Sequence, residues 1–203
     1  MSFTFGILTA YEEPSRVAAV VRSIRELNIP GAEIIIAGSY SEHAPILDVH
    51  HILTDGWITR KKNLIASLAQ HDTLVLLHDY FLFHPEWYNE YQRFGIEWDI
   101  CSNPQLLMNG KRHFTDWTVW DSPQYPRYHS LAYDDWSQTK YQYISGGYFL
   151  VKRDFLREHP LNEDMQPGSP EDVEWSLRVR DRAVIKCNPH AIVRHNKAHR
   201  DNV

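Results

Sequence analysis

The chain is poor in cysteine: Cys101 and Cys187 are the only two among 203 residues. Two thiols make no disulfide framework, so a reducing compartment, the cytoplasm, is the expected location. No stretch approaches the ~20 consecutive apolar residues that cross a bilayer, and no transmembrane segment is expected. The opening residues, MSFTFGILTAYEEP, lack a basic leader, a long apolar centre and a small-residue cleavage site, so a secretory signal is not expected either. Basic charge is also short, with 21 Lys and Arg against 26 Asp and Glu and a net charge of −5. That balance disfavours a general nucleic-acid binder, which needs a basic stripe to displace counterions. It leaves room for a local cationic cradle. Internal repeats, low-complexity tracts and linkers are missing too, and the length suits a single domain.

What remains is ordinary globular chain, 43% apolar and 23% charged, with twelve histidines and 13% aromatic residues standing out. Thr4–Thr9 reads as a short strand. Pro14 opens a helical pattern, with Val17, Val20, Val21, Ile24 and Leu27 at three- and four-residue steps until Pro30-Gly31 stops it. Glu33–Ala37 reads as a buried strand and His50–Leu53 as a short one. Arg60–Gln70 fits a helix with Leu64, Ile65 and Leu68 on one face. Thr73–Leu77 is the clearest buried strand, ending at His78-Asp79-Tyr80. Alternating strands and helices predict right-handed crossovers and a mainly parallel sheet, whose ligands sit beyond the carboxyl ends of the strands. Residues 9–13, 38–42 and 78–80 are therefore the ones to watch.

The second half is less regular. Residues 114–143 hold nine aromatics with Pro123 and Pro126, and neither helical nor strand period fits them. Ser145-Gly146-Gly147 precedes a strand candidate at Tyr148–Val151. A Pro- and Gly-bearing loop over residues 160–170 leads to a predicted helix at Glu171–Asp181, whose first turn is acidic as the macrodipole favours. Ala191–Val193 reads as a last strand before a basic tail.

Several groups could carry chemistry. Asp79, just past a buried strand, suits a hard divalent cation bridging to phosphate oxygens, or is a solvated loop acid beside a hydrogen-bonded His78. Arg60-Lys61-Lys62-Asn63 at a helix start could hold a diphosphate; an exposed cationic turn is the commoner fate of Arg60 and Lys61. Glu171-Asp172 could supply a general base or simply satisfy a helix dipole. His195, with His190 and His199 nearby, becomes a metal ligand only if Asp79 is close in space. The aromatic tract could stack on sugars or bases, with core packing the role of about half its rings.

Taken in order, ILTAYEEP (7–14), EIIIAGS (33–39), GWITRKKNLIASLAQHDTLVLLHDYFLFHPEW (56–87), SGGYFLVKRDF (145–155), PEDVEWSLRVRD (170–181) and VRH (193–195) resemble a family-2-type glycosyltransferase. The resemblance implies a single-domain α/β chain of the GT-A type, a Rossmann-like three-layer sandwich with a mainly parallel sheet. It implies a nucleotide-sugar-binding half over about 1–80 and an acceptor and catalytic half over about 81–203. Thr9, Tyr11 and Glu13 would line the nucleoside pocket, with Lys62, Asn63 and His78 near the donor. Asp55 would stand in for the family's nucleoside-contacting acid, which is missing at Ala37-Gly38-Ser39. His-Asp-Tyr occupies the place of the family's Asp-x-Asp, leaving Asp79 and a tail His195 to hold Mn2+ or Mg2+. Gly146 and Gly147 match a glycine pair that admits sugar or acceptor. Asp172 matches the catalytic base, with Glu171 beside it. The implied activity is inverting transfer from a nucleotide-sugar, a UDP-sugar, to a hydroxyl of a glycan or glycoconjugate, as in polysaccharide biosynthesis.

The rival from another class is a non-catalytic sugar- or nucleotide-binding domain on the same fold, which the incomplete His-Asp-Tyr favours. A nucleotidyltransferase would show a glycine-rich phosphate loop after strand one, and TAYEEP has no glycine. A glycoside hydrolase would leave Lys62-Asn63 unexplained.

Overall fold

A computed structural model describes residues 1–10, 13–38 and 48–197. The N-terminal alternation forms β1 (Phe3–Thr9), α1 (Pro14–Glu26), β2 (Glu33–Gly38), β3 (His50–Leu53), α2 (Ile58–Leu68) and β4 (Thr73–His78). These four strands are parallel. Beyond them come β5 (Phe81–Phe83), α3 (Trp87–Phe94), β6 (Ile100–Ser102), β7 (Gln105–Leu106), β8 (Thr118–Val119), β9 (His129–Ser130) and β10 (Gln142–Tyr143). The chain then forms β11 (Tyr148–Lys152), α4 (Arg153–Glu158), α5 (Glu171–Val179), β12 (Ile185–Cys187) and β13 (Val193–His195). The central sheet has seven strands in the order β12-β6-β11-β4-β1-β2-β3. Only β11 runs against its neighbours.

Both faces of this sheet are covered, which is why its strands read as continuous apolar runs. Phe3, Phe5 and Ile7 point into one core beneath Val17, Val20, Val21 and Ile24 of α1. Leu8, Ile35, Ala37, Leu74 and Leu76 point into the other, against Ile65 of α2, Leu156 of α4 and Trp175 of α5. Helix–sheet–helix layering follows. Among the described residues no helix is long and apolar enough to cross a membrane.

Two elements depart from expectation in ways that shape the site. Helix α2 begins at Ile58 rather than Arg60 and buries Thr59, Lys61, Lys62, Ile65 and Ala66. Leu68, expected on the apolar face, is 45% exposed. The seat is set by Gly6 of β1, where an added Cβ would lie 2.7 Å from Ile65 Cγ2. The glycine admits that close approach, and Lys61 and Lys62 both lie among the buried residues of the helix. The last strand is Val193–His195 instead of Ala191–Val193, which pairs His195 with Phe81 in a separate three-stranded sheet, β5-β13-β7. The aromatic tract contains β8, β9 and β10 as a small antiparallel sheet. Its strands are two residues long, too short for a period to show.

Candidate active site

The carboxyl ends of β1 and β4 meet at one end of the sheet, with Leu8 opposite His78. There Thr9 Oγ1 donates to Asp79 Oδ2 at 2.6 Å, and Lys61 Nζ donates to the Thr9 carbonyl at 2.9 Å. Thr9, Lys61 and Asp79 line a cavity of about 220 Å³ with Arg16, Lys197 and the start of α2. Trp57, the residue before the helix, gives it no side-chain cap. The N-terminus facing this cavity is therefore Trp57-Ile58, not the expected Arg60–Asn63 stretch, because the Lys61 N–H is already bonded to the Trp57 carbonyl at 3.1 Å. An uncapped helix start beside lysines favours anions. Burial pulls the Lys61 ammonium below its ordinary range, opposed by Asp55 and Asp79.

A second cavity, of about 270 Å³, adjoins the first: His78, Tyr80 and Ile58 line both. Its walls carry Ser145-Gly146-Gly147, the Glu171-Asp172 pair, and His195. The His78 N–H donates to the Gly147 carbonyl at 2.9 Å, tying the glycine loop to the end of β4. Asp172 Oδ2 accepts from the Tyr143 hydroxyl and from Gly146 N at 3.2 Å, while Oδ1 accepts from Val173 N at 2.9 Å. Glu171 Oε1 lies 3.6 Å from Lys62 Nζ. Burial raises the Glu171 carboxyl and lowers the Lys62 ammonium, each against the attraction of the other. Gly146 is required by space, since a Cβ there would come 2.8 Å from Glu171 Oε1 and 2.9 Å from Asp172 Cβ. His78 is held neutral, pushed down to about 3 first by burial and then by Lys62, Lys61 and Lys197. Burial, with Asp79 adding, pushes Tyr80 up to about 12.

The chain tail reaches this region through β13. Asn196 N donates to the Tyr80 carbonyl at 2.7 Å, and the His195 ring lies 5.4 Å from that of Tyr80 and 4.6 Å from that of Phe81. Asp79 and His195 thus stand at the same end of the sheet, on adjoining cavities. Glu13 is an exposed residue before α1 whose carboxylate lies 3.4 Å from Arg16 Nε. Asp55 is exposed. Tyr11 lies outside the described residues. Lys62 is placed beneath the acid pair instead of on a cavity wall, with Nζ 5.6 Å from the Phe149 ring. Asn63 points elsewhere: its carboxamide donates to Leu161 O and Glu163 Oε1 and accepts from Leu161 N, so it staples the 160–163 loop. Sequence reasoning passed over Arg16, Gln105, His113 and Lys197, counted Tyr143 only within the aromatic tract, and favoured an exposed turn for Lys61, which is buried. Lys61 had a signal, adjacency to Lys62 at a helix start; Arg16 sits in the periodic first helix and Lys197 in the basic tail, while Gln105, His113 and Tyr143 sit in segments without period or motif.

A divalent cation is tested by the donor set. Among the described residues no three His, Cys, Asp or Glu side chains converge as a cage. Asp79 fits a looser arrangement. One of its oxygens is held by Thr9 and its carboxylate lines the cavity, as suits an ion bound through one or two protein groups plus substrate phosphates.

No family model matches the chain, and no curated protein does. Solved structures do. Residues 1–349 of TarS from S. aureus superpose with a TM-score of 0.71 at 12% identity, over 96% of this chain and 60% of that one. The same protein in complex with UDP gives 0.68 at 12%, with equal coverage. GalNAc-T7 with UDP, GalNAc and Mn2+ gives 0.74 at 16%, over 98% of this chain and 44% of that one. The fold is therefore that of the GT-A glycosyltransferases, a mixed α/β sandwich on a mostly parallel sheet. The chain spans about 60% of the TarS fragment and 44% of GalNAc-T7.

Proposed function

We propose that the chain is a glycosyltransferase, family-2-type by its motifs, that moves a sugar from a UDP-sugar to a hydroxyl of a glycan or glycoconjugate. The observation that carries this is the shared wall at His78 and Tyr80. It joins a cavity with three cations and a helix N-terminus to a cavity with two carboxylates. A diphosphate fits the first and an attacked sugar the second. The neighbours' complexes with UDP support the same donor class. In this reading residues to about 80 take the nucleotide and later residues serve the acceptor, within one domain. The buried thiols of Cys101 and Cys187 suit the cytoplasmic location proposed with it.

Arg16, Lys61, Lys197 and the start of α2 offset the charge that grows on the departing diphosphate. Asp172, aimed by Tyr143 and Gly146, takes the proton from the acceptor hydroxyl. The hydroxyl oxygen bonds to the anomeric carbon as the bond to the diphosphate breaks, and that single displacement inverts the anomeric centre. Mn2+ or Mg2+, held at Asp79 with His195 on the adjoining wall, would add Lewis-acid stabilisation of the diphosphate. The acceptor face is the aromatic tract. Phe114 and Tyr128 are 60% and 40% exposed, and the Tyr128 ring lies 5.1 Å from that of Tyr143, which holds Asp172. The 160–170 loop, anchored by Asn63, is the proposed lid.

Thermal shift with a panel of nucleoside diphosphates, with and without Mn2+, tests donor binding, since a ligand of the native state raises its melting temperature. UDP should give the largest shift. Asp172→Asn should keep that shift and lose the release of UDP from UDP-sugars; unaltered release would remove Asp172 from the role. Binding by the wild type with no release from any UDP-sugar would instead mark a non-catalytic domain.

A further inference from the structure

Gln105 is a buried polar residue whose side chain has no role in the site described above. Its side chain is 1% exposed, and both Nε2 and Oε1 are buried without a hydrogen-bond partner. The backbone around it is fully committed. Gln105 N donates to Asp116 Oδ2 at 3.2 Å, its carbonyl accepts from His113 N at 2.7 Å, and it pairs with Val193 across β7 and β13. Asp116 has no capacity to spare for the carboxamide, being bonded also by Arg112, Tyr133 and Trp117 N. A buried amide lacking both its donor and its acceptor partners is a large local penalty. Gln105 lines the cavity of the acid pair, and so does His78, whose Nε2 is likewise buried without a partner. Two buried polar groups in the lining of one cavity are partners that a small hydroxyl-bearing ligand would use.

We propose that Gln105 reads the transferred sugar, its Oε1 accepting from one ring hydroxyl and its Nε2 donating to the adjacent one. The proposal rests on the reading that the chain binds a nucleotide-sugar, and it narrows the donor to an uncharged hexose. No lysine or arginine is among the described residues lining this cavity, whereas Glu171 and Asp172 are, and Lys62 is already set against Glu171. A sugar carboxylate would meet Glu171 and Asp172 with no lysine or arginine on the cavity lining to pair with it. A neutral ring with neighbouring hydroxyls offers the carboxamide both an acceptor and a donor. The diphosphate cavity is unaffected by this choice, because Gln105 does not line it. Recognition of the sugar and of the nucleotide are therefore separable.

The test compares wild type with Gln105→Leu by calorimetric titration with UDP, UDP-glucose, UDP-galactose, UDP-N-acetylglucosamine and UDP-glucuronate. Wild type should bind at least one neutral UDP-sugar 10-fold or more tighter than UDP, and UDP-glucuronate no tighter than UDP. Gln105→Leu should bind UDP within about twofold of wild type and lose the gain contributed by the sugar. Its unliganded melting temperature should not fall, because an unpartnered amide is exchanged for an apolar side chain. Gln105→Asn, which keeps the amide on a shorter stem, should recover part of the gain. Loss of melting temperature with the sugar gain intact would make Gln105 structural and overturn the proposal. So would tightest binding of UDP-glucuronate, or no gain from any neutral sugar. Failure of the wild type to bind UDP or any UDP-sugar would overturn the donor reading itself, and Gln105 with it.

Discussion

Lys62 Nζ stands 3.6 Å from Glu171 Oε1 with the two side chains 0% and 9% exposed, a buried pair joining α2 to the start of α5. Removing one member strands the other charge out of water, which costs about 3–5 kcal/mol, while replacing both with apolar groups of similar size costs far less. Lys62→Met should accordingly lower stability by several kcal/mol, and Lys62→Met with Glu171→Leu should regain most of it. Urea unfolding of the two single variants and the double variant closes the cycle. A loss in the double variant equal to the sum of the two single losses would show that the pair has no mutual dependence.

Tyr143 reaches Asp172 through its hydroxyl, and the same carboxylate oxygen accepts from Gly146 N at 3.2 Å. The phenol is thus a positioning group for the proposed base. Tyr143→Phe keeps the ring in its packing and deletes only that donor. We expect kcat to fall roughly 10- to 100-fold, the size typical of a misaligned proton acceptor, with KM for the donor little changed. A rise in donor KM at constant kcat would place Tyr143 in donor binding instead.

The sequence was most informative where one physical signal dominated. Continuous apolar runs marked β1, β2 and β4 because both faces of the sheet are covered, and Pro14 marked the start of α1. Asp79, Gly146 and Asp172 were legible because a strand end, a glycine pair and an acidic helix start each leave a local trace. That Lys61 and Lys62 are both buried is something no helical period reveals: α2 packs closely on β1 through Ile65 against Gly6, more than fifty positions away in the chain. Gln105 and Tyr143 lie on strands of two residues, whose pairing partners come from distant segments. Their positions are products of tertiary pairing alone.

Gly146 leaves no room for a side chain, with Glu171 Oε1 2.8 Å and Asp172 Cβ 2.9 Å from where a Cβ would stand. Gly146→Ala must push α5 or the loop aside, and overpacking of this kind costs about 1–3 kcal/mol. The displacement falls on the proposed base, so turnover should drop by 10-fold or more while the thermal shift given by UDP stays near that of wild type. Gly147→Ala is the control: its nearest contact is the Tyr80 hydroxyl at 3.3 Å, away from the acid pair. If both variants behave alike, the steric argument at Gly146 is wrong.

His78 gives the apo protein an acid-side dependence whose sign can be worked out. Its imidazole is pushed down to about 3 in the fold, by burial first and then by Lys62, Lys61 and Lys197, while an unfolded histidine titrates near 6.5. Between those values the unfolded chain holds a proton at this position that the native chain does not. The contribution is therefore complete above about pH 6.5 and is lost as pH falls towards 3. Other histidines add slopes of their own, so the informative quantity is a difference. His78→Gln, measured in metal-free buffer by urea unfolding at pH 7, 6, 5 and 4, should lose stability less steeply than wild type. The gap should approach the one-proton limit of about 1.4 kcal/mol per pH unit below pH 6. Parallel curves for the two proteins would mean that His78 takes up its proton within the folded state, and that the wall between the two cavities is wetter than its burial implies.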